Sequence, residues 1–184
     1  MAHHRLFVAL HPPPAIRAAI RAVQGGIAGA RWQTDEQLHC TLRFLGEQNG
    51  QVAEDIAVAL SGLHHPAIEA RLEGLGCFAH KGRADSLWVG IGPISELRAL
   101  HDKVDRLLRA AGIAPDPRAY RPHITTARLP RSLAVPEAAA AQLPAPPALA
   151  FRFTEVRLYE SLLGRDGARY APVLRLPLGP DAAL

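Results

Sequence analysis

The stretch LHCTLRFLG, residues 38–46, does most to limit how this chain can fold. It reads as a strand, and side chains along a strand point alternately to its two faces. Leu38, Cys40, Leu42 and Phe44 then form an apolar face that requires a core, while His39, Thr41 and Arg43 line the other. Residues 121–129, RPHITTARL, repeat the pattern with His123 and Thr125 on one face. Strict alternation puts Thr126 and Arg128 on the back face, with Pro122 and Ile124. One H-x-T is common noise, but two on predicted strands of one short chain need a cause. LFVAL at 6–10 leads to a helix and then to His39, and LWVGI at 87–91 leads to a helix and then to His123. The first segments are 81 residues apart and the histidines 84. Such a duplication predicts two similar lobes about an approximate two-fold axis, with the H-x-T strands facing each other across a central cleft.

The other segments fit this plan. RLFVALH (5–11) is a strand that stops at Pro12, and prolines 12–14 suit a loop entering a helix, where a missing N–H costs little. Residues 15–24 have helical spacing at Ile16, Ala19, Ile20 and Val23 and end at Gly25-Gly26. A short strand is expected near Trp32, a second helix over 52–63, and strands over 67–78 and 86–92. The longest helix is predicted over 94–112, with Ser95 as N-cap and Gly112 as stop. Residues 130–150 read as a short Ala-rich helix and a Pro-rich loop, taken as a surface insertion. Two last strands, 151–161 and 169–178, form a hairpin around Gly164-Arg165-Asp166-Gly167. The expectation is one bilobal domain over residues 1–184 with an internal pseudo-two-fold repeat.

Composition narrows the partner. The net charge of +4, with nine histidines uncounted, favours an anion, with nucleic acid and phosphate metabolites leading. Cys40 and Cys77 lie in apolar stretches without metal-type spacing and are expected to be reduced core residues, a disulfide between them being the alternative. No apolar run approaches a membrane span or a signal h-region. A cytoplasmic location, no membrane partner and a monomeric state are expected.

Two histidines across a cleft make a general acid–base pair, since one imidazole can be neutral while the other is protonated. Two imidazoliums repel, and an anion between them offsets that repulsion. A phosphodiester suits the arrangement. One histidine takes a proton from the attacking water and the other gives one to the leaving alkoxide. Thr41 and Thr125 can donate to non-bridging oxygens, and Arg43 on the same face adds charge. A zinc site competes for the same histidines, but neither motif has an acidic neighbour. His3-His4 and His64-His65 are adjacent pairs, which diverge in a strand and are placed in loops. Trp32 and Trp88 are assigned to packing, the alternative for either being a stack on a base.

These residues resemble a known family, the RNA 2′,3′-cyclic phosphodiesterases of the two-histidine phosphoesterase superfamily, also described as 2′-5′ RNA ligase-like. The resemblance runs over LFVAL, RWQTDEQLHCTLRFLG, LWVGIG, RPHITTARL and LYESLLGRDGARYAPVLRLPL, essentially residues 5–179. It implies a bilobal α+β fold with two antiparallel sheets facing a cleft and helices outside. It implies hydrolysis of a terminal 2′,3′-cyclic phosphate to a 2′-phosphate without metal or other cofactor, and 2′-5′ ligation or its reversal. By position His39 matches the proton donor, His123 the proton acceptor, and Thr41 and Thr125 the phosphate-holding hydroxyls. Thr126 stands where a leucine is usual, and Arg128 recurs as a possible binding residue. Two other readings stay open: hydrolysis of a small cyclic nucleotide or a 2′-5′ oligonucleotide, and a non-catalytic RNA-binding module. Intact histidines and threonines in both motifs argue against the last.

Overall fold

The computed structural model describes residues 3–164 and 167–179. Alternating apolar segments form strands β1 (His3–Leu10), β2 (Arg31–Trp32), β3 (Cys40–Asn49), β4 (Ile68–His80), β5 (Arg83–Gly92), β6 (His123–Arg128), β7 (Ala150–Phe153), β8 (Glu155–Gly164) and β9 (Gly167–Pro177). They pair antiparallel in the order β7-β4-β5-β6-β3-β1-β8-β9, with β2 on β6. Only Cys40 and Ile124 join β3 to β6. The sheet is therefore two halves, β6-β5-β4-β7 with β2 added on β6, and β3-β1-β8-β9, meeting at one residue pair, rather than two separate sheets. The turn residues of the β8–β9 hairpin, 165 and 166, lie outside the described residues, but Gly164 pairs with Gly167.

Helices α1 (Pro14–Ala22), α2 (Gly50–Ser61) and α3 (Ile94–Ala110) pack on one side of the sheet. Ile16 and Ile20, Ile56 and Leu60, and Leu97, Leu100, Val104 and Leu108 recur at helical spacing and are buried. They share one core with Leu6, Val8, Leu10, Cys40, Val89, Ile91, Ile124, Val156 and Leu158 of the strands. Pro93, not Ser95, precedes the first turn of α3. Gly112 ends α3 as expected, at φ +82°, where a side chain would be strained. A short helix, α4 (Glu137–Ala140), closes a smaller core of Ala84, Leu87, Ala127, Leu129 and Ala140. Both cysteines are free, Cys40 in the main core and Cys77 against the smaller one. No helix among the described residues is long and apolar enough to cross a membrane.

One segment departs from expectation. Residues 151–161 are not a single strand: β7 pairs with β4, and after Thr154 the chain continues as β8 on β1, in the other half. Phe151 and Phe153 alternate, and so do Val156 and Leu158, but the two sets are out of phase. A single strand cannot bury both sets on one face.

Two β-bulges overturn the strict alternation assumed for the motif strands. In β3, Ala9 pairs with Thr41 and Val8 with Arg43, leaving Leu42 as an extra residue. A bulge of this kind reverses the facing of everything beyond it. Arg43 consequently turns to the helix side, where it is 4% exposed, and Phe44 turns to the opposite side. Arg43 Nε donates to Asp105 Oδ1 of α3 at 2.9 Å, and its other nitrogens donate to the Phe44 and Ala114 carbonyls. Asp116 lies 3.8 Å away. The expected placement of Arg43 beside His39 and Thr41 is thus wrong: it is a structural ion-pair residue. In β6 the reverse occurs. Trp88 pairs with Thr125 and Leu87 with Ala127, so Thr126 is the extra residue. Arg128 returns to the His123 side, against the alternation argument, and its charge acts on His39, His123 and Tyr170. Thr126 is buried, and its Oγ has no hydrogen-bond partner.

Candidate active site

The Cys40–Ile124 pair that joins the halves also positions the two motifs. Around an antiparallel pair, the flanking residues face each other across the strands on the opposite side of the sheet. His39 is thereby set across from Thr125, and Thr41 across from His123, with the histidines at opposite corners. Since β3 and β6 pair at this point alone, the strands part on either side of it.

Each histidine is held the same way. His39 Nδ1 donates to the Gln37 carbonyl at 2.7 Å, and His123 Nδ1 donates to the Arg121 carbonyl at 2.7 Å. A carbonyl only accepts, so both rings keep their proton on Nδ1 when neutral. Nε2 is then the nitrogen left for chemistry in both. The turn that carries Gln37 is itself fixed by a capping box, in which Gln37 Oε1 accepts from the Thr34 N–H.

Aromatic rings brace the imidazoles. Phe7 lies 4.9 Å from the His39 ring and Tyr170 5.1 Å edge-on, while Phe7 stacks on Tyr159 at 5.1 Å. On the other side Phe78 meets His123 edge-on at 5.0 Å and Trp88 at 6.0 Å, with the Arg121 guanidinium over both. Trp88 lies so close over Gly76 that a Cβ there would sit 2.4 Å from the ring. None of these rings was singled out as a site residue from sequence, although Phe7 and Trp88 occupy equivalent positions in the repeated LFVAL and LWVGI segments. That equivalence was the available signal. Trp32 packs against the smaller core, as assigned.

Residues 12–165 match the family described as the 2′-5′ RNA ligase superfamily. The chain belongs to this superfamily. An RNA 2′,3′-cyclic phosphodiesterase of Aeropyrum pernix is 33% identical over 139 residues, 74% of this chain and 79% of that protein. Its Escherichia coli counterpart is 28% identical over 180 residues, covering 95% of this chain and 96% of its own. The crystal structure of E. coli LigT complexed with 3′-AMP superposes with a TM-score of 0.80 at 27% identity, over 96% of this chain and 99% of that one.

In this superfamily member the surroundings of both imidazoles disfavour their charged forms. Burial holds His39 down at about 4, and the charges of His123 and Arg128 push the same way, against the Gln37 hydrogen bond. Burial also lowers His123, with Arg128 and Arg121 adding to the effect against the Arg121 carbonyl. An anion entering between them reverses the electrostatic part of this penalty. Nothing comparable to a metal centre accompanies them: among the described residues no group of three or more His, Cys, Asp or Glu side chains is placed to hold an ion. His11, also held near 4 by burial and by Arg157 and Arg17, lies within electrostatic reach of His39 and contacts Tyr159 at 3.3 Å.

Proposed function

We propose that this protein hydrolyses RNA 2′,3′-cyclic phosphate ends to 2′-phosphomonoesters, using His39 and His123 as the acid–base pair. The observation that supports this most is the pair of Nδ1-anchored imidazoles, each across from the other motif's threonine. His123 Nε2 takes a proton from water as its oxygen bonds to phosphorus. The bond from phosphorus to O3′ breaks, and His39 Nε2 gives its proton to that oxygen. Thr41 and Thr125 donate to the non-bridging oxygens, and Arg128 contributes positive charge to the cleft. Run in the same direction with an RNA 5′-hydroxyl in place of water, the same proton transfers make a 2′-5′ linkage, and run backwards they cleave one. The fold supports a duplicated single domain, and we infer a cytoplasmic monomer acting on RNA ends.

The reaction requires no metal, so chelator-treated protein is expected to hydrolyse the cyclic phosphate at an unchanged rate. A loss with chelator that zinc or manganese restores would falsify the two-histidine reading. Each hydroxyl also has a measurable share. Losing one oxyanion donor costs on the order of 10²–10³ in turnover. Thr41→Ala and Thr125→Ala are expected to approach the lower end of that range, with thermal unfolding nearly unchanged. Full activity in either variant would remove that residue from the mechanism. A panel of cyclic-phosphate-ended RNAs and 2′,3′-cyclic mononucleotides separates an RNA-end enzyme from one dedicated to a small cyclic nucleotide.

A further inference from the structure

Outside the histidine cleft, a cavity of about 380 Å3 opens at the tip of the β4–β5 hairpin. His80, Lys81, Arg83, Asp85, Arg131 and Ala134 line it. Three cations and an imidazole thus face one carboxylate, and no ion pair within 4.0 Å is found for Lys81, Arg83 or Arg131 among the described residues.

The cavity is built from fixed backbone. Leu129 and residues 130–137, the start of the stretch read from sequence as a surface insertion, are strapped to the hairpin. Leu129 N–H donates to Asp85 O at 2.9 Å, Ala84 N–H to Val135 O at 2.9 Å and Glu137 N–H to Gly82 O at 3.1 Å. Strain collects here as well. Among the described residues, the non-glycine residues with positive φ are Lys81 (φ 51°) and Ala134 (φ 48°), and both line this cavity. That backbone region suits glycine or asparagine and penalises lysine. A charge kept at a strained turn is an observation that points to function.

Position supplies the ligand. Strand β6 runs from His123 to Arg128, roughly 16 Å at ~3.3 Å per residue. The bulge at Thr126 turns Arg128 onto the histidine side, and Pro130 and Arg131 of the cavity follow directly. Positive charge therefore continues from the catalytic cleft to the cavity along one strand. We propose that this cavity binds an internal phosphate of the RNA strand, a few nucleotides from the cyclic end held between His39 and His123. The proposal rests on the RNA-end reading above and adds to it a second anchoring point, which a mononucleotide cannot reach.

Lys81→Asn and Arg131→Ala test it, singly and together. Binding is read by fluorescence anisotropy with oligonucleotides of increasing length that end in a 2′-phosphate, so that it does not depend on turnover. Hydrolysis of a 2′,3′-cyclic mononucleotide is measured alongside. Both variants are expected to bind the longer oligonucleotides several-fold more weakly and the shortest ones equally well. Each lost phosphate contact should flatten the salt dependence by about 0.7 in the log–log slope. Mononucleotide hydrolysis should be unchanged. Lys81→Asn should unfold at the same or a higher temperature, because asparagine relieves the strain; weaker binding in a protein no less stable identifies a ligand role. Equal binding at every length by variants and parent would overturn the proposal. So would equal losses with the mononucleotide, which would make the cavity part of the fold or of the catalytic cleft. Inorganic phosphate is the remaining probe: amide and guanidinium NMR shifts at Lys81 and Arg131 on adding it, with none on adding oligonucleotide, would make this a small-anion site and overturn the strand reading. Failure of the parent to hydrolyse any cyclic phosphate while length-dependent binding persists would defeat the activity and leave this subsite standing.

Discussion

His39→Ala and His123→Ala are each expected to lose nearly all hydrolysis of a cyclic phosphate, and the double variant little more. The two act as a unit, so the second removal takes away what is already lost. The pH dependence of the parent follows from the environment of the pair. Hydrolysis needs one imidazolium and one imidazole together, which gives a bell-shaped profile whose limbs belong to the pair. Burial lowers both groups, His39 to about 4. The profile of kcat/KM, which reports the free enzyme, should therefore have both limbs below the usual imidazole value. A bound phosphodiester anion favours imidazolium, so the kcat profile should move to higher pH. His39→Ala should lack the limb at high pH, and His123→Ala the limb at low pH. Acid stability must be followed in the same buffers. A group whose folded pKa lies below its unfolded value binds more protons when unfolded at intermediate pH. His39, His11 and His123 therefore contribute stability above pH ~6.5 that declines as the pH falls toward 4. Circular dichroism separates that loss from titration of the chemistry. Phosphorus NMR of the product is the complementary check: a 2′-phosphate requires O3′ to have left, and a 3′-phosphate would reverse the substrate between the histidines and with it the donor and acceptor roles.

Arg43→Ala is expected to destabilise the protein by about 3–5 kcal/mol, the cost of removing one partner from a buried ion pair. The guanidinium is 4% exposed, and truncation strands the Asp105 carboxylate, weakens the hold on Asp116 and leaves the Ala114 carbonyl short of a donor. Below its unfolding temperature the variant should keep most of its turnover, because Arg43 points to α3 and not to the cleft. Denaturant melts at several temperatures, with activity measured on the folded fraction, check both halves of this statement. A variant that is stable but catalytically crippled would return Arg43 to the phosphate site.

The contrast between the two arginines shows what a strand pattern can and cannot carry. His39, Thr41, His123 and Thr125 were legible because they lie within two residues of each other, before any bulge has altered the alternation. Arg43 and Arg128 lie beyond the extra residues Leu42 and Thr126, and each ended on the face opposite to the one predicted. Nothing in LHCTLRFLG or RPHITTARL marks the insertion, since a bulge depends on how the neighbouring strands β1 and β5 pair. The break at Thr154 was different: the phase slip between Phe153 and Val156 was present in the sequence, and its meaning lies in which half each set of apolar residues joins.

The helices and the paired motifs were determined by the sequence itself, because short-range periodicity and spacing fix local structure and the order of elements. Only the tertiary structure decided that both imidazoles turn Nδ1 to a carbonyl, that burial pushes both toward the neutral form, and that the halves meet at the single pair Cys40–Ile124. It also decided that the loop after β6 straps itself to a distant hairpin to build a basic cavity. Apart from the two Nδ1 anchors, which reach carbonyls only two residues back, these features arise from contacts between residues tens of positions apart, where register, desolvation and charge depend on the assembled neighbours and not on the chain that carries them.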